Sequence, residues 1–172
     1  PSTHGVFRIV VTLDGETIVK LEPVMGYLHR NHEKIGERNT FIQNIPFTDR
    51  LDYLSSMCNN HGYVLAVEKL QSAKVPERAE YIRVMMAELS RILSHFMFFG
   101  AFGADVGSFG TSFIYAWRER ERIYDFFEEV SGDRMFPTYL RPGGVQMDLP
   151  DGWEKRVNEI LGARLNTLHN LF

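Results

Sequence analysis

The sequence predicts an α+β fold, mainly helical, in which a β-hairpin at the amino end leads into a bundle of long helices. Three observations predict it. Asp14-Gly15, a strong two-residue hairpin signal, stands between two runs rich in β-branched residues. Ile82, Met85, Met86, Leu89, Ile92, Leu93 and Phe96 recur at helical spacing over a span too long for a strand. The helical pattern then returns twice, around Trp117 and again from Trp153 to the end of the chain.

In chain order, the hairpin is expected over 6–22, closed by Pro23, with Pro1 to Gly5 as the loop leading in. A helical bundle is expected over 26–172. Its first helix, Met25 to Arg38, carries His29 and His32 at i and i+3. The next is expected to open at Thr48 as N-cap and run to about Lys69. Asp49 and Asp52 then lie in its first turn, where the helix dipole favours negative charge. Leu51, Leu54, Cys58, Leu65 and Val67 would form its apolar face, while Arg50 and Tyr53 stand on neighbouring sides of its opening turn. Gln71 to Lys74 is a polar break. Pro76, followed by Glu77 and Glu80, suits the start of the long helix. The end of that helix, His95 to Phe102, is apolar nearly all round and is expected to be buried. A glycine-rich turn would follow, in which a buried Asp105 needs a partner or a shifted pKa. The glycines at 100, 103, 107 and 110 and Asp105 interrupt the apolar run, which argues against a membrane span. Ser112 to Val130 reads as another helix, with the alternating charges of Arg118-Glu119-Arg120-Glu121-Arg122 on a solvated or protein-contacting face, and Ser131-Gly132 stops it. Arg141-Pro142-Gly143-Gly144-Val145 is a turn, wrongly spaced for a phosphate loop. A last amphipathic helix follows Pro150-Asp151-Gly152, with Val157, Ile160, Leu161, Leu165 and Leu168 on one side.

A chain of 172 residues is long enough for one sizeable core. It opens on Pro1 and stops within a helical pattern at Asn170-Leu171-Phe172, so the expectation is a part of a longer chain. The net charge of -3, with basic and acidic residues interleaved, gives no footprint for nucleic acid. A single cysteine, Cys58, rules out a disulfide framework or a CxxC motif within these residues and fits a reducing compartment. His29 and His32 lack a third ligand at useful spacing, so no metal site is expected. Residue chemistry alone leaves three isolated polar groups beside apolar surface, His4, Tyr53 and Asp105, with no nucleophile-base pair among them.

Several longer stretches say more. Pro1-Ser2-Thr3-His4-Gly5-Val6, Gly26-Tyr27-Leu28-His29-Arg30 with Glu33-Lys34, Asp49-Arg50-Leu51-Asp52-Tyr53, Ala66-Val67-Glu68-Lys69-Leu70, Trp117-Arg118-Glu119-Arg120-Glu121 and Arg141-Pro142-Gly143-Gly144-Val145 occur in this order. Together they closely resemble the 49-kilodalton subunit family of respiratory complex I, the proton-translocating NADH:quinone oxidoreductase, whose bacterial members are called the D subunit. The likeness covers this chain from end to end and the amino-terminal part of the family's length, which implies that residues 1–172 are the amino-terminal part of one larger domain whose carboxyl-terminal part is absent. It implies a fold shared with the large subunit of nickel-iron hydrogenases, whose function is the principal rival, a purely structural scaffold being the other. A hydrogenase needs an Arg-x-Cys-Gly-x-Cys motif; here Arg50 is followed by Asp52 and Ser55 at the thiolate positions, so the soft ligands nickel requires are absent and no nickel or iron is expected in this chain.

The resemblance further implies a quinone as substrate, reduced in a cavity formed with a partner subunit that carries the terminal 4Fe-4S cluster. His4 and Tyr53 match the two donors to the quinone oxygens, and Asp105 the carboxylate that orients and charges the histidine. Arg30 and Arg50 match positions near the partner's cluster, where a cation raises its reduction potential. Many relatives carry histidine after Arg-Met in the segment Arg134-Met135-Phe136, and Phe136 cannot titrate, so a weaker pH dependence of that potential is expected. The other implied partners are further peripheral-arm subunits and a membrane-arm subunit that channels quinone, with no nucleic acid. The implied location is peripheral, on the cytoplasmic face of the bacterial inner membrane.

Overall fold

A computed structural model describes residues 5–169 and divides them into two compact units, one ending at Asn39 and the other beginning at Thr40. The first unit holds the hairpin. Strand β1, Arg8–Asp14, pairs antiparallel with β2, Thr17–Val24, around the two-residue loop Gly15-Glu16. Gly15 takes a positive φ of 61°, a conformation glycine adopts without steric cost. The register shifts at Thr12/Leu13, where a bulge leaves Val19 without a direct partner. Pro23 does not end the strand as expected: it pairs opposite Ile9, a position an edge strand tolerates because the missing N–H can face outward. The following helix is shorter than its sequence suggests. Instead of Met25 to Arg38, helix α1 spans His32–Arg38. Gly26 and Asn31 have positive φ values of 115° and 61° and break the chain before it, so His29 and His32 do not share a helix.

The second unit is a helical bundle. Its helices are α2 (Phe41–Thr48), α3 (Ser56–Gln71), α4 (Glu77–Gly103), α5 (Thr111–Ser131) and α6 (Trp153–His169), with a short hairpin of β3 (Leu140–Arg141) and β4 (Gly144–Val145) between the last two. The core is built from Met57 and Val64 of α3, Ile82, Met86, Leu89 and Leu93 of α4, Ile123, Phe127 and Val130 of α5, Tyr139, Leu140, and Trp153 and Val157 of α6. Burying each such side chain contributes about 1.5–3 kcal/mol. The buried face of α3 is therefore Met57, Asn60, Val64, Val67 and Glu68; of the face expected from sequence only Val67 is fully buried, while Leu51 and Leu65 are exposed.

Close helix contact depends on glycine at one place. A Cβ on Gly100 would stand 3.1 Å from the Phe113 Cα, and one on Gly103 would stand 2.7 Å from the Ser112 Cβ. Bare backbone at these two positions lets α5 pack directly on the end of α4, and Ser112 Oγ donates to the Gly100 carbonyl at 3.1 Å. Only that face of the helix end is covered. Phe98, Phe99 and Phe102 are exposed, contrary to the burial expected from the all-apolar pattern. Asp105, on a π-helical turn at Ala104–Ser108, is exposed as well and is not the buried carboxylate the sequence suggested. Among the described residues no helix is long and apolar enough to cross a membrane.

Two buried cations organise the bundle. Arg83 forks onto Glu68, with Nη1 donating to Oε2 at 3.0 Å and Nη2 to Oε1 at 2.6 Å, and also donates to the Gly144 and Arg141 carbonyls at 3.0 and 2.7 Å. The Gly143 N–H donates to Glu68 Oε1 at 2.7 Å, so this pair clamps the β3–β4 turn onto α3 and α4. Arg120 is the other. It is buried at the level of Leu93, whose carbonyl it donates to, bonds the Tyr124 hydroxyl and lies over the Trp117 ring. The alternating run Arg118 to Arg122 is thus not a wholly solvated face.

Candidate functional site

The stretch Thr48 to Tyr53 does not open a helix. Helix α2 begins earlier, because Thr40 and Gln43 form a reciprocal capping box in which the Gln43 N–H donates to Thr40 Oγ1 and the Thr40 N–H to the Gln43 side chain. Counted from that start, Thr48 is the last residue of α2, and its hydroxyl donates back to the Ile45 carbonyl at 2.7 Å. Pro46, inside this short helix, withholds an N–H and weakens its continuation. Residues 49–55 then form a turn between α2 and α3. Asp52 closes it, accepting the Leu54 N–H at Oδ1 (3.3 Å), the Ser55 N–H at its carbonyl (3.0 Å) and the Asn59 side chain at the same carbonyl (2.7 Å).

This turn presents Arg50 and Tyr53 to the surface. Tyr53 is 54% exposed. The Arg50 guanidinium donates through Nη1 to the Pro46 carbonyl at 2.5 Å and lies over the Phe136 ring, 4.4 Å from its centroid. A cation on an aromatic face contributes about 0.5–1 kcal/mol when exposed. The structure therefore joins Arg50 and Phe136, two positions that nothing in the local sequence links.

Beneath the turn, Asp49 points inward and is fully buried. One oxygen, Oδ2, accepts from the Thr138 N–H at 2.7 Å and from the Thr138 hydroxyl at 2.8 Å. The other, Oδ1, is buried with no hydrogen-bond partner. Burial pushes the Asp49 carboxyl up to about 6; the bonds from Thr138 and the Arg50 charge oppose the rise, and the nearby Asp133 adds to it. Thr138 itself has a positive φ of 44°, rare for a β-branched residue and costing roughly 1–3 kcal/mol. Its segment is fixed from the other side by Asp133, whose Oδ1 accepts the Met135 and Phe136 N–H groups at 2.9 and 2.7 Å. Asp49 is the residue that sequence reasoning missed in this role. The signal was present in Thr40-x-x-Gln43, which fixes where α2 starts and hence where Asp49 falls.

Cys58 of α3 donates its thiol to the Ala87 carbonyl of α4 at 3.4 Å, and Glu68 meets Arg83, so these helices run in opposite directions. Asp105 lies on the π-helical turn Ala104–Ser108 that follows α4. Arg30 belongs to the first unit, just before α1, and His4 lies outside the described residues. Among the described residues no three His, Cys, Asp or Glu side chains are grouped so as to hold a metal ion.

Comparison with known proteins gives concordant matches. The family described as respiratory-chain NADH dehydrogenase, 49 Kd subunit, matches residues 105–171. Over 94% of its length the chain is 58% identical to the NADH-quinone oxidoreductase D subunit of Desulforamulus reducens, covering 44% of that protein. It is 56% identical to a D subunit of the same enzyme from Herpetosiphon aurantiacus, over 94% of this chain and 44% of the relative. For the D subunit of Chromobacterium violaceum the identity is 55%, over 95% and 39%. The chain spans less than half the length of these curated relatives.

Proposed function

Because the chain belongs to the 49-kilodalton, or D, subunit family of NADH-quinone oxidoreductases, we propose that it contributes the quinone-facing turn of such an enzyme, with Tyr53 as a proton donor to the quinone. The observation that carries this reading is the turn itself. Residues 49–55 leave a phenol exposed and hold it on a backbone that Asp52 and the buried Asp49 fix from two sides. Conversion of a quinone to a quinol takes two electrons and two protons. In this reading a partner subunit's 4Fe-4S cluster supplies the electrons, and each one raises the basicity of the quinone oxygens. A phenol is a weak acid and gives up its proton only to a strong base, so donation follows electron arrival. The proton goes to one quinone oxygen, and the phenolate is reprotonated from water. His4 serves as the second donor and Asp105 as the carboxylate that charges it.

Arg50 places a fixed positive charge beside this turn, and with Arg30 it raises the potential of the partner's cluster by favouring the reduced form. The aromatic Phe136 beneath Arg50 adds no titratable group, so the cluster potential is expected to vary weakly with pH. The relation to nickel-iron hydrogenases is part of the same reading. Asp52 and Ser55 stand at the thiolate positions, and both serve to close the turn. Coupling to proton translocation, the partner subunits and a peripheral seat on the cytoplasmic face of the membrane follow from the proposed enzyme.

The test is quinone reductase activity of the assembled complex carrying Tyr53→Phe, with electron transfer from NADH to a water-soluble acceptor as the control for assembly. Loss of one general acid is expected to lower kcat by about 10²–10⁴-fold with the control unchanged. Full quinone reduction by the variant contradicts the assignment.

A further inference from the structure

We propose that Asp49 is a positioning residue of this site: its buried carboxylate, by holding Thr138, fixes the turn that presents Arg50 and Tyr53 and so sets where both stand relative to the substrate. The proposal rests on the quinone reading above and deepens it. Four observations carry it. Asp49 immediately precedes Arg50 and is fully buried, so its side chain anchors the turn from inside while Arg50 and Tyr53 face out. A single oxygen takes both donors of Thr138, the backbone N–H at 2.7 Å and the hydroxyl at 2.8 Å. Thr138 holds a left-handed backbone that a threonine rarely adopts, and such conformations persist where the surroundings over-determine them. Finally, Phe136, two residues away, carries the Arg50 guanidinium, so the two loops touch at the anchor and again at the surface.

The second oxygen, Oδ1, gives the anchor a consequence. It is buried without a hydrogen-bond partner, so ionisation leaves one oxygen uncompensated while protonation places a hydrogen there. The charged groups that face Asp49 are Arg50 on its own turn and Asp133 on the loop after α5, and they oppose each other. As the carboxyl loses its proton, its bonds to Thr138 become charge-assisted and tighten. Ionisation thus exchanges tighter bonds to Thr138 for an uncompensated Oδ1, so the hold on the turn changes as the carboxyl titrates.

The experiment uses the assembled complex with Asp49→Asn, Thr138→Ala, Thr138→Ser and Tyr53→Phe, measuring quinone KM and kcat from pH 5 to 8 alongside NADH oxidation by a water-soluble acceptor. Asp49→Asn is expected to lose roughly ten- to a hundred-fold in kcat/KM, mainly through KM, and to lack the inflection expected of wild type between pH 5 and 7. Thr138→Ala should shift KM in the same direction by less, and Thr138→Ser, which keeps both donors, should match wild type. If Asp49→Asn does not assemble, the KM of Thr138→Ala decides instead. Wild-type KM and pH profile in Asp49→Asn, with Tyr53→Phe impaired, overturn the positioning role and leave the quinone reading standing. Unimpaired Tyr53→Phe removes that reading and the positioning role with it.

Discussion

Among the described residues two carboxylates lie inside this bundle, and they are satisfied in opposite ways. Glu68 meets a full countercharge: the Arg83 guanidinium grips both of its oxygens, and the Gly143 N–H adds a third bond. Burial pushes the Glu68 carboxyl up, yet the bonds from Arg83 and Gly143 together hold it below the usual carboxylate range. Asp49 meets only the neutral donors of Thr138, and one of its oxygens has no partner. Its carboxyl accordingly sits high, at about 6. The difference separates two jobs. Glu68 cements the β3–β4 turn, whereas Asp49 stands one residue from Arg50 and four from Tyr53, where an adjustable charge can matter to chemistry.

Removing the countercharge from the first pair should give the largest effect on stability. Arg83→Met leaves Glu68 buried and unpaired and is expected to cost about 3–5 kcal/mol in urea unfolding of the chain. The double variant Glu68→Gln/Arg83→Met should recover much of that loss, because the cost comes from the orphaned charge more than from the missing attraction. Equal destabilisation in the single and double variants would mean that Arg83 acts through packing alone.

A pH series sharpens the contrast from the other side. The folded-state pKa of Asp49, about 6, lies above its ordinary value of 3.8, so the folded protein binds this proton more tightly than the unfolded chain. The contribution is present in full below the ordinary value and is lost as pH rises from about 4 to 6, on the order of 2–3 kcal/mol. Glu68 runs the opposite way, its depressed pKa adding stability that is lost as pH falls through the acid range. Asp49→Asn should therefore flatten the fall between pH 4 and 6 in thermal unfolding, and an unaltered slope would assign that titration to another group. The smallest effect is expected at the surface. Arg78 and Asp148 also form an ion pair, 3.0 Å apart, but both are exposed, so Asp148→Asn should leave the midpoint of thermal unfolding where it is.

Much of this architecture is legible in the residues. Asp14-Gly15 marks the hairpin, the apolar spacing from Ile82 to Phe96 marks α4, and Pro142-Gly143 lies at the tip of the β3–β4 turn. The misplaced start of α3 comes from competition between helix-start signals. Thr48 with Asp49 and Asp52 looks like an N-terminus, but Thr40 with Gln43 completes both bonds of a capping box eight residues earlier. That choice turns Asp49 from a dipole-stabilising surface charge into a buried anchor. Its partner, Thr138, is 89 residues away, and no local pattern announces a contact at that separation. Arg120 is hidden for a different reason, because its partners Trp117 and Tyr124 are helix neighbours on the face that packs against α4. The apolar end of α4 misled by composition: an all-apolar helix end reads as buried, and here α5 covers only the face carrying Gly100 and Gly103.

The most direct test of the central claim is to map where a photoreactive quinone attaches in the assembled complex. Attachment within residues 49–55, suppressed by an excess of unmodified quinone and shifted or weakened in Asp49→Asn, is the predicted result. Labelling that leaves this turn untouched while competing normally for unmodified quinone would contradict it.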